Sequence, residues 1–435
     1  DFGKIHVTLD FKGCLTTISP QQRSSPCLCC LPCRDSSANT TPPFMYSALL
    51  EQREAWASNA AIRRAWFART PEVALEPALE IVDPHHHLWD MRVLKGFNMR
   101  GILKQQYYLT DELIDDILGG GHKVTHTVFL ECHSFHTATM EEGSGGGDPH
   151  MAPLGEVQFV QGTAAQFASG KYGPVRACAG IVGTADLAQF GAGVEPLLIA
   201  CKAASPNFRG IRCVAAHDPK VPSGHFCPVP GLYRDETFRA GFALLHKHGL
   251  SFDAWLYSSQ LPDLVDLAQH FPETTIILDH IGTPLAALGN LAGDGAPEYD
   301  GQQEAIIAQW KEHMTTLANE CPNVVVKIGG LAMPQLGHGL EERDAPASSE
   351  ELAKLFGPLY LWVIEQFGAE RCMLESNFPV DQVSTSYTIL WNMFKRVTGK
   401  LPEADRALLF SGTAKRVYRL GAAESIKSPY VVSKV

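Results

Sequence analysis

Eight short apolar runs, most of them rich in β-branched residues, punctuate the chain: LEIVDPH, THTVFLEC, VRACAGIVG, FRGIRCVAA, LSFDAWLY, TTIILDHIG, NVVVKIGG and RCMLESNF. They begin near Ile81, Thr125, Val175, Phe208, Leu250, Thr274, Asn323 and Arg371, 24 to 50 residues apart, which leaves room for a helix and a loop between neighbours. The segments between them carry helical spacing. SQLPDLVDLAQHF sets Leu261, Leu264, Val265, Ala268 and Phe271 on one stripe, with Pro262 near its start. Another opens on Ser348 and Glu351 as a capping box, continues through Leu352, Leu355 and Phe356, and closes at Gly368. Strands alternating with helices predict an α/β protein whose parallel sheet is covered on both faces. Eight strands can close on themselves without exposed edges, so the expected fold is a (β/α)8 TIM barrel, with an open doubly wound sheet as the alternative.

Such a barrel accounts for residues 80–422 of the 435 as one domain. Residues 1–44 are rich in Ser, Thr, Pro and Cys without a sustained period, and read as a disordered leader or non-native extension ahead of Met45. Residues 45–79 read as an amphipathic helical segment outside the barrel, and 423–435 as a C-terminal tail. Isolated cysteines such as Cys178 and Cys372 read as small buried hydrophobes, whereas the CLCCLPC stretch lacks the second half that a metal site needs. The net charge of −11, with no long basic block, argues against a nucleic-acid partner. No run of eighteen apolar residues offers a membrane span. The expectation is a cytoplasmic protein acting on a small molecule, compatible with a homo-oligomer. Long polar insertions (EEGSGGGDPHMAPLGE, LGNLAGDGAPEYDG, QLGHGLEERDAPASS) follow or approach strand ends, where barrels build their pockets.

Alternate side chains of a strand face opposite ways, so DPHHH sends His85 and His87 to one face and His86 to the other. At the end of a first barrel strand the pair enters the mouth, where it can bridge one metal ion or one substrate oxygen, or serve only as hydrogen-bonded lining. His86 is expected to be structural. His280 ends the sixth run and completes a facial set, while Asp279, of opposite parity, is expected to fix a neighbouring loop or helix N-terminus. Lys327 inside VVVKIGG needs a carboxylate or a bound anion, because an unpaired buried ammonium is costly. In FRGIR, Arg212 is the candidate for gripping a substrate carboxylate bidentately, and Arg209 reads as a surface or loop anchor. Glu131 is the natural counter-ion for either cation, with general-base work as the alternative.

The order of DPHHHLW, GIVG, FRGIR, LDHIG, KIGG, ESNFP and FSGTAKRVYRL resembles the amidohydrolase-related family of the amidohydrolase superfamily over most of residues 80–420. That resemblance implies a barrel that uses water to open esters, lactones or amides, with a divalent metal such as zinc or without one. Sugar lactonases and the hydrolase that opens 2-pyrone-4,6-dicarboxylate belong to the family. It makes His85 and His87 the strand-one pair and His280 the strand-six histidine, the three ligands when a metal is bound. The last strand departs from the pattern. Where relatives have Ser-Asp-Trp-Pro, this chain has Ser376, Asn377, Phe378 and Pro379, and an amide cannot accept a proton at neutral pH. Glu375 shares strand parity with Asn377, and Asp381 follows the Pro379 turn; Asp381 is the preferred general base, with Asn377 in the reacting shell. Ser258 and Ser259 replace a histidine found in relatives, leaving Tyr257 and Gln260 as candidate substrate hydrogen-bonders. The function expected is hydrolysis of a lactone or similar cyclic ester whose carboxylate is held by Arg212 or Lys327. A metal-assisted decarboxylase and a silent metabolite-binding barrel are the alternatives.

Overall fold

Each of the eight apolar runs supplies one strand of a parallel barrel. The structure, a computed structural model, describes residues 60–91, 106–137, 148–221, 227, 229–289 and 296–421. The expectations for residues 1–44, 45–59 and 423–435, and for parts of the first two insertions, lie outside the described residues. In chain order the strands are β1 (Glu80–His86), β2 (Trp89–Asp90), β3 (Tyr107–Tyr108), β4 (Lys123–Leu130), β5 (Arg176–Gly183), β6 (Phe208–Arg212), β7 (Ser251–Ala254), β8 (Ile276–Leu278), β9 (Val324–Ile328) and β10 (Cys372–Leu374). β2 and β3 form a small antiparallel pair, and the other eight form one sheet in the order β1-β4-β5-β6-β7-β8-β9-β10. The ring closes just beyond β10, where Asn377 donates its backbone N–H to the His85 carbonyl at 2.9 Å and His87 donates to that of Phe378 at 2.8 Å. Among the described residues no helix is long and apolar enough to cross a membrane.

Local chemistry explains the helices. Ser349–Phe367 starts on the Ser348–Glu351 capping box, and Glu236–His248 starts on Asp235, whose carboxylate accepts the Phe238 N–H, and ends at Gly249 with φ 66°. Leu261–His270 begins with Pro262 and buries Leu261, Leu264, Leu267 and Ala268. Leu267 thus joins the stripe, while Val265 and Phe271 lie only partly buried at its edge. The helix over residues 60–67 belongs to a strap over residues 60–79 that crosses the outside of the barrel. Trp66 Nε1 reaches the Arg343 carbonyl at 2.9 Å, and the buried Asn392 side chain accepts the Leu75 N–H at 2.7 Å.

Outward-facing strand residues such as Ile81, Phe129, Ile211, Phe252 and Val326 pack under the helices. Inward-facing ones form a separate apolar layer: Val82, Val128, Leu130, Val182, Ile277, Val325 and Met373 meet Ala414, Val417, Tyr418 and Leu420 of the C-terminal segment. That segment therefore plugs the barrel from the end opposite the mouth. Arg209 pins it by donating from Nε to the Tyr418 carbonyl at 2.6 Å.

Candidate active site

Between Asp83 and His86, β1 has three residue steps where β4 has two, since Asp83 pairs with Thr127 and His86 with Phe129. The extra residue is a bulge around Pro84, which has no N–H to give a ladder. Strict alternation from the inward Val82 would turn His85 outward. The bulge reverses the parity, so His85 and His87 enter the mouth with ring centroids 5.0 Å apart, and His86 faces away, 2.8 Å from Thr127 Oγ1.

Two residues beyond the apolar layer, on the same face, Ile277 is followed by Asp279, Val325 by Lys327 and Met373 by Glu375, all fully buried. Asp279 does not fix an outer loop, as its parity relative to His280 suggests; it continues the inward face of β8. The surprise is His280, which adopts φ 54° and turns inward as well, its ring centroid 4.7 Å from that of His85. Two glycines make room for this. A Cβ on Gly330, whose φ is 69°, would lie 2.4 Å from the His280 ring, and one on Gly329 would lie 2.3 Å from Glu375 Cγ.

Both cations are engaged inside the barrel. Lys327 Nζ donates to Asp253 Oδ1 at 2.7 Å, faces His85 Nδ1 at 3.2 Å and pairs with Asp279 Oδ1 at 3.0 Å, so its charge meets two carboxylates in a fully buried position. Lys327 is thus not open to a substrate carboxylate, contrary to expectation. Arg212 donates from Nε to Glu131 Oε1 at 2.7 Å, from Nη2 to the Glu131 carbonyl at 2.8 Å and from Nη1 to Asp279 Oδ2 at 3.4 Å. Its fork is closed on Glu131, whose other oxygen meets His133 Nε2 at 2.8 Å. Burial opposes charge on Lys327, yet Asp253 and Asp279 outweigh it and raise its pKa. Burial likewise opposes charge on Glu131, but Arg212 and His133 hold it far below the usual carboxylate range.

Glu375 ties the histidines together. Oε1 lies 2.6 Å from His280 Nδ1, and Oε2 lies 2.7 Å from His85 Nδ1. Burial, aided by Lys327, holds His85 well below the ordinary histidine range, and burial with Arg212 pushes His87 down to about 3. Both rings are therefore neutral at neutral pH. His87 Nδ1 lies 2.9 Å from the Leu130 carbonyl and so carries the proton, which leaves Nε2 as an acceptor facing His85 Nε2 at 3.2 Å.

Asn377 and Asp381 form a unit behind this centre. Asn377, at φ 54°, donates from Nδ2 to Asp381 Oδ1 at 2.8 Å, while Asp381 Oδ2 accepts the Ala332 N–H at 3.2 Å. Both carboxylate oxygens of the preferred base are thus occupied within the fold. Tyr257 is buried among Ala216, Leu285 and Ala286. The Gln260 amide is taken up by backbone, accepting from His217 and Tyr257 N–H and donating to the Ala215 carbonyl. Asp253 and His133 are absent from the residues singled out in the sequence, and Glu375 enters there only beside Asn377. A signal existed for Asp253: an acid inside LSFDAWLY poses the same burial problem as Lys327, and the two solve it together.

The donor set suits a divalent cation. Ligand atoms of His85, His280 and Glu375 lie within 4.8 Å of one another, and buried Glu375 Oε2 has no well-directed hydrogen-bond donor. Two imidazoles and a carboxylate are a zinc-type set.

A family model described as "Amidohydrolase" matches residues 82–420. The protein y4mH of Sinorhizobium fredii is 31% identical over 350 residues, which is 79% of this chain and 99% of that protein. An L-fucono-1,5-lactonase of Burkholderia multivorans is 28% identical over 188 residues, 43% of this chain and 57% of the lactonase. The crystal structure of an amidohydrolase from Burkholderia multivorans with bound zinc shares the barrel at a TM-score of 0.53 and 21% identity, covering 78% of this chain and 99% of that one.

Proposed function

The chain belongs to the amidohydrolase family, and on that premise we propose that it opens a lactone or similar cyclic ester with water at the C-terminal mouth of the barrel. The observation that carries this reading is Glu375, a buried carboxylate held between two imidazoles, 2.6 Å from His280 Nδ1 and 2.7 Å from His85 Nδ1. A water set against Glu375 Oε2, which has no well-directed donor, finds there an acceptor for its proton, as general-base catalysis requires. Glu375 takes the proton as the water oxygen attacks the ester carbon and passes it across the 2.6 Å contact to His280 Nδ1, while His280 gives a proton to the ring oxygen as the carbonyl re-forms and the ring C–O bond breaks, which leaves both groups as they began. His87, with its proton committed to Leu130, keeps Nε2 directed at His85 and holds that ring in place. A divalent ion held by His85, His280 and Glu375 would supply Lewis acidity and a more acidic water. Asn377 leaves the base role to Glu375, because its amide serves Asp381 instead.

The charge inventory revises the substrate. Arg212, Lys327 and protonated His133 face Glu131, Asp253, Asp279 and Glu375, three cations against four anions, so nothing in this layer calls for a substrate carboxylate. A neutral, hydroxylated lactone fits better than an anionic one, and the likeness to L-fucono-1,5-lactonase supports that class. The test is a panel of neutral and carboxylated lactones assayed by acid release, with metal content measured in parallel. Faster turnover of neutral lactones is expected. Carbon dioxide release from aromatic acids with no lactone opened would replace this reading by a decarboxylase.

A further inference from the structure

The residues closest to the chemistry come from strand ends at the mouth, yet one polar contact reaches them from the other end. Tyr418, fully buried on the C-terminal plug, donates its hydroxyl to Asp253 Oδ1 at 2.6 Å. The same oxygen accepts Lys327 Nζ at 2.7 Å, and the other Asp253 oxygen has no hydrogen bond. Lys327 also sits over the Tyr418 ring, 5.6 Å from its centroid, and faces His85 Nδ1 at 3.2 Å. One side chain thus touches Lys327 twice, through its ring and through Asp253. Lys327 in turn touches the histidine that Glu375 and His87 flank.

We infer that Tyr418 is a positioning residue for the reacting centre: through Asp253 and Lys327 it fixes where the His85 ring stands. This rests on the mouth being the reacting site, as proposed above. Nothing else among the described contacts directs Asp253 Oδ1 from below. With the hydroxyl gone, Asp253 keeps only Lys327, and the pair can swing together. A misplacement of about 1 Å at a reacting group costs on the order of 10²-fold in rate. The hydroxyl lies two contacts away from His85, so the expected loss is smaller.

Tyr418→Phe retains the ring under Lys327 and removes only the oxygen. We expect kcat to fall about 5- to 30-fold with KM within about twofold, since substrate binding is not touched. Leu420→Ala, which thins the same apolar layer without touching Asp253, should lower the melting temperature and leave kcat unchanged. Asp253→Asn should lower kcat similarly, and the double variant with Tyr418→Phe should lose no more than the worse single one. A substrate-free measurement separates this inference from the proposed activity. In protein labelled with 15N-histidine, the His85 ring resonances, assigned by their loss in His85→Asn, should move in Tyr418→Phe and stay in Leu420→Ala. Movement with no lactone turned over in the wild type would sink the proposed reaction and keep the positioning role. Unmoved His85 resonances in both Tyr418→Phe and Asp253→Asn would overturn it, as would a fall in melting temperature with kcat intact.

Discussion

Glu375 and Asp381 are six positions apart and both are buried, yet their partners set them to different work. Asp381 is pushed up to about 7 by burial, and its two oxygens hold Asn377 and the Ala332 N–H. Glu375 has one oxygen without a well-directed donor and two imidazoles beside it. Glu375→Gln should therefore lower kcat/KM by at least about 10²-fold, roughly 2.7 kcal/mol of transition-state stabilisation, while Asp381→Asn should cost less than tenfold and show mainly as a lower melting temperature. Steady-state kinetics on the lactone panel decides between them. His133 makes a second prediction. Burial alone would lower its pKa, but Glu131 raises it to about 9, above the ordinary value near 6.5. A base raised on folding contributes stability that is complete below the unfolded value and lost as pH rises through the folded one. The wild type should thus lose melting temperature between pH 7 and pH 9.5 more steeply than His133→Gln, measured by calorimetry. At this scale the sequence showed which residues were out of place, namely ionisable groups inside apolar runs, but not how they pair. Lys327 needed a carboxylate; that Asp253 and Asp279 supply it, so that its charge is already paired inside the barrel, depends on three strands meeting in one ring.

Elements were more legible than pairings because each carries its own period. Eight β-branched runs and a capping box at Ser348 suffice for the barrel, since they state local preferences that the closed sheet satisfies together. What periodicity hides is the exception to it. The bulge at Pro84 and the φ of 54° at His280 both overturn parity, and no period reports them. The Gly329–Gly330 pair is the sequence trace of one of these exceptions. Gly330→Ala places a methyl 2.4 Å from the His280 ring at a φ of 69°, so we expect a loss of about 1–3 kcal/mol from backbone strain alone, and activity reduced at least as far as by Glu375→Gln. The strap over residues 60–79 offers a purely structural contrast. Asn392, fully buried, accepts from Leu75 and donates to Glu72 and the Val73 carbonyl, so Asn392→Ala should cost about 2–4 kcal/mol in denaturant unfolding with kcat unaltered.

For the whole molecule, a cation at His85, His280 and Glu375 would couple catalysis to stability, because an ion that binds only the folded chain adds about 2.7 kcal/mol at a hundred times its dissociation constant. Chelation of the purified protein should lower the melting temperature, zinc should restore it, and Glu375→Gln should respond to neither. A thermal scan with and without chelator checks this. The plug has a separate consequence, in the order of synthesis. Domains form as the chain emerges, N-terminal parts first, at several to some twenty residues per second. All eight strands leave the ribosome before residues 413–421 do, so the growing chain holds a barrel whose floor is open and whose Asp253 still awaits its phenol. A stop codon near residue 410 should spare every strand and both glycines and yet release a barrel whose interior lacks its brace.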